Sequence, residues 1–479
     1  MRDRVGDAAV TAQVRGSFYH VAEDFAGPKK FDREHPSLAR DGLQGCNPPR
    51  MMAAPVDPPL RRSMAQALLE GVPPFVMPLA LQTVNLGLMW SLAIESGLLA
   101  SAGGAEAVAR LGDVCAVAAT LMLLLVPARA MVTGGSALWT DYTTANPPYA
   151  AGLMGTMGIA AWLHARGGST GAVVVWTAAL VVMLIGQLLF LRHVARASSK
   201  PLDDGRAGSS GLAQRFEKLW SMAAPPWILP LVGVSAAAAT GGKLVRWATS
   251  ADGGCSSCSA VALYGPVALG GSWACIIIVP LWAKAIRTRA LVSSPPSAIL
   301  MAPPALNLAG WLGAVGGDLA LQSSWLTHLL AILVVALALP IGCLAPRYLD
   351  VRKPFSPAIA TVGFPMEIGA ISLVRYQATL NATGIDPAAD ASAPTAASGM
   401  AAARPFWQVA AWVQLVAATL AVSLILLRFA IAAGRAFCAE WWVCARLHHD
   451  EKMAAPLPVA ERSAPHGPDR AKTTTDELV

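Results

Sequence analysis

Glu367 is a carboxylate set in a run of mostly apolar residues, 357–379, long enough to cross a bilayer. A charge at the centre of a membrane helix costs roughly 2.5–3.5 kcal/mol on insertion scales. Such a residue calls for a partner, a proton or a task. A buried carboxyl can hold a proton, and one that exchanges it can couple proton movement to that of an anion. The alternative is a permanently protonated or hydrogen-bonded glutamate packed on a neighbouring helix. Arg375 follows near the outer end of the same run, in Leu-Val-Arg-Tyr. It can snorkel to the interface or attract anions to a mouth. Gln82 and Asn85, three residues apart, share a helical face, and Asn307 and Gln187 are further amides inside apolar runs. Amides can coordinate a small ion without trapping it, or they can bond to neighbouring helices.

Other chemistry is sparse. Cys255 and Cys258 form the one C-x-x-C among eight cysteines. No further ligands stand nearby to complete a zinc site, so no metal is expected; a disulfide and two free thiols both remain open. Asn381-Ala-Thr383 is an N-x-T sequon. There is no P-loop and no Ser/His/Asp set in one plausible site, so neither enzymatic chemistry nor a cofactor is expected. An intramembrane enzyme, the remote alternative, would need ionisable residues converging at one depth.

The elements that position these residues are membrane spans. Of the 479 residues 55% are hydrophobic and 14% charged, against roughly 25% charged in soluble proteins, and mean hydropathy is +0.50. Ten runs reach span length, approximately 72–95, 114–137, 145–163, 171–191, 222–242, 261–283, 295–315, 322–345, 357–379 and 406–432. Residues 1–60 and 446–479 read as disordered cytoplasmic tails, and 61–445 as the transmembrane domain. The net charge of +7 sits in short basic clusters between apolar runs. That pattern suits cytoplasmic loops rather than nucleic acid.

Thirteen Lys and Arg fall in the loops after even-numbered runs and five in the others. By the positive-inside rule both termini are cytoplasmic, which requires an even number of spans. Proline is concentrated in the odd-numbered runs. Pro78, Pro230, Pro303, Pro304 and Pro365 lie several residues in, where they are expected to kink their helices. Freed carbonyls are tolerated in a membrane where they line a cavity. The expected fold is all-α: five helical hairpins, each of one kinked and one straight helix, around a central pore lined by the odd-numbered helices.

Several segments carry a resemblance. Pro-Pro-Phe-Val-Met-Pro-Leu-Ala-Leu-Gln-Thr-Val-Asn-Leu-Gly-Leu-Met-Trp (73–90) and Asp-Tyr-Thr-Thr-Ala-Asn-Pro-Pro-Tyr (141–149) are two of them. The others are Pro-Pro-Trp-Ile-Leu-Pro-Leu-Val-Gly (225–233), Gly-Gly-Ser-Trp (270–273) with Ser-Ala-Ile-Leu-Met-Ala-Pro-Pro-Ala (297–305), and Lys-Pro-Phe-Ser-Pro, Gly-Phe-Pro and Leu-Val-Arg-Tyr within 353–376. In order and spacing they resemble the tellurite-resistance/dicarboxylate transporter family, over roughly residues 71–432. This family includes tellurite-resistance channels, malate and sulfite transporters and slow anion channels.

The resemblance implies ten helices in five hairpins around a pore. It also implies a gating phenylalanine, here Phe364 of Gly-Phe-Pro, and a homotrimer in the plasma membrane. Glu367, three residues on, departs from the family pattern. The implied activity is passage of small anions, inorganic or dicarboxylate such as malate, across a lipid bilayer. Glu367 keeps open a proton-coupled carrier for malate or a related dicarboxylate.

Overall fold

The computed structural model describes residues 76–99, 104–133, 146–199, 211–251, 256–316, 318–322, 324–352, 355–382 and 395–454. Among them no strand occurs. The principal helices are α1 (Val76–Glu95), α2 (Ala105–Thr133), α3 (Asn146–Ala165), α4 (Ser169–Ser199), α5 (Ser235–Ala251), α6 (Ser256–Arg287), α7 (Ala302–Val315), α8 (Trp325–Tyr348), α9 (Ala360–Ala382) and α10 (Thr395–Ala454). The chain divides into two units, Met1–Ile431 and Ala432–Val479; the packing below belongs to the first. Among the described residues eight helices are long and apolar enough to cross a membrane. Helices α3 and α9, of 20 and 23 residues, fall outside that set. Three glycines in α3 and the polar residues of α9 lower their hydropathy, although either helix would span about 30 Å.

Burial separates two kinds of helix. In the apolar windows of α1 and of the segments containing α5 and α7, 72–94% of positions are buried; in α2, α4, α6, α8 and α10 only 22–39% are. Most of α9 is buried as well. Helix α1 packs on α3, α3 on α5, α5 on α7, α7 on α9, and α9 back on α1. These neighbours form a closed cycle. Helix α2 touches α1 and α3, α4 touches α3 and α5, α6 touches α5 and α7, and α8 touches α7 and α9. Helix α10 lies beside α9 and α1: Gln414 Nε2 donates to Met366 O at 3.0 Å, and Trp90 Nε1 to Thr419 Oγ1 at 3.1 Å.

The members of the cycle run in one direction. Glu95, the last residue of α1, pairs with Lys243, midway along α5, at 2.6 Å. His164 of α3 lies against Trp247 of α5, and Arg246 of α5 reaches the last turn of α7. At the other end Gln82 Nε2 of α1 donates to Ala360 O, the first residue of α9.

Proline placement differs from the expectation. Helices α5, α7 and α9 are entered through 3-10 stretches, Pro225–Trp227, Pro295–Met301 and Pro357–Ile359, each begun by a proline. Pro78 is the third residue of α1, and Pro303 and Pro304 are the second and third of α7. These are first-turn positions whose N–H would lack an intrahelical partner anyway, so they open helices rather than kink them. Pro230 lies in a short turn, Ile228–Val232, that stops at Gly233 before α5 begins, and Pro365 is interior to α9. Interior prolines also occur in α2, α6, α8 and α10. What marks the cycle members is burial rather than kinking.

Boundaries shift too. Helix α10 begins at Thr395 and runs to Ala454, into stretches expected to be loop and tail, because its alanine-rich flanks favour helix. Arg129, one of the thirteen basic residues assigned to loops after even-numbered runs, lies inside α2. Part of the basic loop 192–218 is the helix Gly211–Met222, with Phe216 exposed. Lys284 Nζ ties that helix to α6 by donating to Trp220 O, Ser221 O and Ala223 O at 2.5–2.8 Å.

Helices α5 and α7 touch backbone to backbone. A Cβ on Gly313 would stand 2.3 Å from Ala238 O, and one on Gly242 2.3 Å from Gly313 O. Neither carbonyl can retreat without breaking its helix. Gly313→Val should therefore lower stability by about 1–3 kcal/mol through overpacking. Thermal unfolding in detergent checks this. Gly265→Ala, which meets nothing within 4 Å, should leave the midpoint unchanged or raise it.

Candidate functional site

Helix α9 carries the residues of greatest interest, and its contacts assign a direction to each face. Gly363 packs on the Gln82 side chain of α1, at 2.9 Å from an ideal Cβ. Glu367, four residues on, is rotated about 40° from Gly363 and so points at the same seam. Gly369 packs on Gln414 of α10. Tyr376 meets His328 of α8, Oη to Nδ1 at 2.7 Å, and stacks edge-on against Trp407 of α10. The outward face of α9 is thus the one bearing Gly369 and Tyr376. Phe364 and Arg375, eleven residues apart, fall within about 20° of each other on a third face.

Glu367 is fully buried, and neither carboxylate oxygen has a hydrogen-bond partner. Asn85 of α1 is its polar neighbour, short of hydrogen-bond geometry, and Cys115 of α2 is close enough to sense its charge. The sequence places Glu367 and Phe364 on nearly one face. Three residues set them about 60° apart, with Glu367 on the α1 side and directly opposite Tyr376 of the outward face, so that Glu367 also points inward. Phe364 is 4% exposed.

The amides divide into two kinds. Gln82 is buried and bonded to α9 through Ala360 O. Asn85 lies on α1 between the sides that meet α3 (through Leu81 and Gly155) and α9 (through Gln82 and Gly363), so it faces inward. Asn307 accepts a hydrogen bond from Ser235 Oγ at 2.8 Å, and an ideal Cβ on Gly271 of α6 would lie 3.9 Å from its Oδ1. It therefore sits at the junction of α5, α6 and α7, away from the interior expected for it. Gln187 Nε2 of α4 donates to Leu231 O, just before the break at Gly233.

Arg375 departs furthest from the expected outer mouth. It is partly buried, seven residues short of the end of α9 and so about 10 Å inside it. Its Nη1 donates to Ala309 O of α7 at 3.0 Å and its Nη2 to Ala239 O of α5 at 2.7 Å. Arg246 is a functional candidate that the sequence reading missed. It was counted as a loop charge because the apolar run stops at Lys243, whereas α5 continues to Ala251. Its Nη1 donates to Gly313 O at 3.0 Å. The Gly-Gly-Lys-Leu-Val-Arg spacing, which places Arg246 a turn beyond the glycines, was the available signal.

The expected Cys255–Cys258 pair lies outside the residues whose side chains are described. Asn381 is exposed in the last turn of α9 and its Oδ1 accepts from Gln377 Nε2 at 3.1 Å; Thr383 of the sequon lies outside the described residues. Among the described residues no group of three His, Cys, Asp or Glu could hold a metal. Comparison with protein-family models and with curated proteins finds no match to this chain.

The Ser235–Asn307 bond links two buried helices. Asn307→Ala should cost about 1 kcal/mol. In a double-mutant cycle with Ser235→Ala the second substitution should add little, as read from thermal unfolding in detergent.

Proposed function

We propose that this chain spans the membrane ten times, as five hairpins, and passes small anions along a path enclosed by α1, α3, α5, α7 and α9. The observation that carries the reading is the closed neighbour cycle of these five parallel helices, with the other five in its outer grooves. A bundle built to bury a core needs no such cycle; a path through a bilayer does, because polar groups are tolerated there only inside protein or beside water. Asn85 and Arg375 face inward, and a guanidinium there favours an anionic passenger. The basic clusters at the ends of α4, α6 and α8 favour cytoplasmic termini by the positive-inside rule. The arrangement is the one implied by resemblance to the tellurite-resistance/dicarboxylate transporter family.

Phe364 shares the inward face with Arg375 and takes the role of gate. Purified protein in planar bilayers should carry anion-dependent current, and Phe364→Ala should raise its conductance. An unchanged conductance would remove Phe364 from the gate.

A specific observation supports a second reading, a proton-coupled carrier for a dicarboxylate. Glu367 is fully buried with no bonded partner, and it lies beside the inward-facing Asn85. A protonated Glu367 would be neutral in that seam, and deprotonation would place a negative charge next to the path. In proteoliposomes a carrier would show malate uptake driven by an imposed proton gradient, and Glu367→Gln should abolish the drive while leaving exchange. Currents indifferent to pH in both proteins would leave the channel reading alone.

A further inference from the structure

Helix α9 packs on α7 and α1, and α5 lies beyond α7 in the cycle. The Arg375 guanidinium nevertheless bonds to carbonyls of both α7 and α5. With neighbouring axes about 9 Å apart, helices two places apart in a five-membered cycle are separated by about 15 Å. The outer side of α7 is covered by α6 and α8. A side chain from α9 can therefore reach α5 only across the inner side of α7. Arg375 thus projects into the space the cycle encloses.

Arg246 approaches the same side of α7. Its acceptor, Gly313 O, is four residues from Ala309 O, the acceptor of Arg375, so the two carbonyls lie about 6 Å apart along one face. Arg246, an exposed residue, caps the last turn of α7 at Gly313 O and Ala314 O, and its charge reaches Arg375. Glu95, the carboxylate whose charge reaches Arg375, pairs with Lys243 at 2.6 Å. Among the described ion pairs, none assigns a carboxylate to Arg246 or Arg375.

We propose that Arg375, with Arg246 one turn outward, is the anion-coordinating site of the path, and that it selects oxyanions such as carboxylate, nitrate or sulfite. This rests on the anion-path reading above. A guanidinium has five N–H donors in a rigid fork. On Arg375 two are held by carbonyls, which fix its plane, and three remain. Two parallel N–H groups match two oxygens of an oxyanion, a geometry that a spherical halide cannot use. The fixing carbonyls also oppose tight binding, since their oxygens face any anion that arrives. A site that both attracts and releases suits conduction. The competing role for Arg375 is purely structural, as a clamp on α5, α7 and α9.

The test uses full-length purified protein in planar bilayers under asymmetric potassium nitrate and potassium chloride, with Arg375→Gln and Arg375→Lys. The wild type should prefer anions to potassium and nitrate to chloride. Arg375→Gln should lower the anion-to-cation permeability ratio by about tenfold or more, as expected from removing a charge beside the path. Arg375→Lys should keep the sign of selectivity and lose the nitrate preference. In parallel, nitrate should raise the wild-type melting temperature more than chloride does at equal ionic strength, and should not do so for Arg375→Lys.

A wild type with neither anion current nor anion flux in vesicles overturns the anion path itself. Anion current whose reversal potential and nitrate preference survive both substitutions leaves the path and overturns this site. So does a wild type whose melting temperature nitrate does not raise above chloride, a reading that holds even where the Gln variant fails to fold.

Discussion

Helices that run in one direction collect their C-terminal ends at one level, and each end carries about half a negative charge. In this protein α1, α3, α5, α7 and α9 do so. Arg246 offsets it at the last turn of α7. Deeper in, Arg375 links interior carbonyls, Ala239 O of α5 and Ala309 O of α7, and Lys243, midway along α5, closes on Glu95 at the end of α1. Basic side chains at helix C-termini are stabilising in general. Here the three cations also join different helices, and so help to hold the parallel arrangement.

Close backbone approach allows these short links. The α5–α7 seam is made by Gly242, Gly310 and Gly313, where a side chain would strike a carbonyl of the facing helix. Small residues bring membrane helices together where no hydrophobic drive exists between them. At that separation the carbonyls of α5 and α7 lie within reach of one guanidinium. A wider seam would leave Arg375 with one acceptor, and a charged group so placed would be costly.

The helices themselves were legible in the sequence. The runs 295–315 and 322–345 correspond closely to Pro295–Val315 and Trp325–Tyr348, because hydropathy records the length of a bilayer crossing. The alternation of inner and outer helices was reached through proline, which turned out to mark helix entries such as Pro225 and Pro295. Burial is what separates the two sets. The site was less legible, since linear spacing cannot tell which helix a side chain meets. Glu367 and Phe364 share a face by spacing, and only the Gly363–Gln82 contact shows that Glu367 is the one nearer α1. Asn307 belongs to a junction with α6 for the same reason. Arg246 was hidden by a run boundary, and the crossing of Arg375 to α5 depends on the order of the cycle, which no local pattern records.

The three faces of α9 separate tasks that a single face would confuse. Phe364 and Arg375 point inward about three turns apart, one apolar and bulky, the other charged. In the proposed path an anion would meet electrostatic attraction and steric obstruction at different depths, so strengthening one need not alter the other. Glu367 stands between them in depth and about 60–80° round the helix, on the side of α1 and opposite Tyr376. In the proposed path its ionised form would oppose Arg375 within about two turns, and its protonated form would not. The protonation of Glu367 would therefore bear on that path directly, beside Asn85.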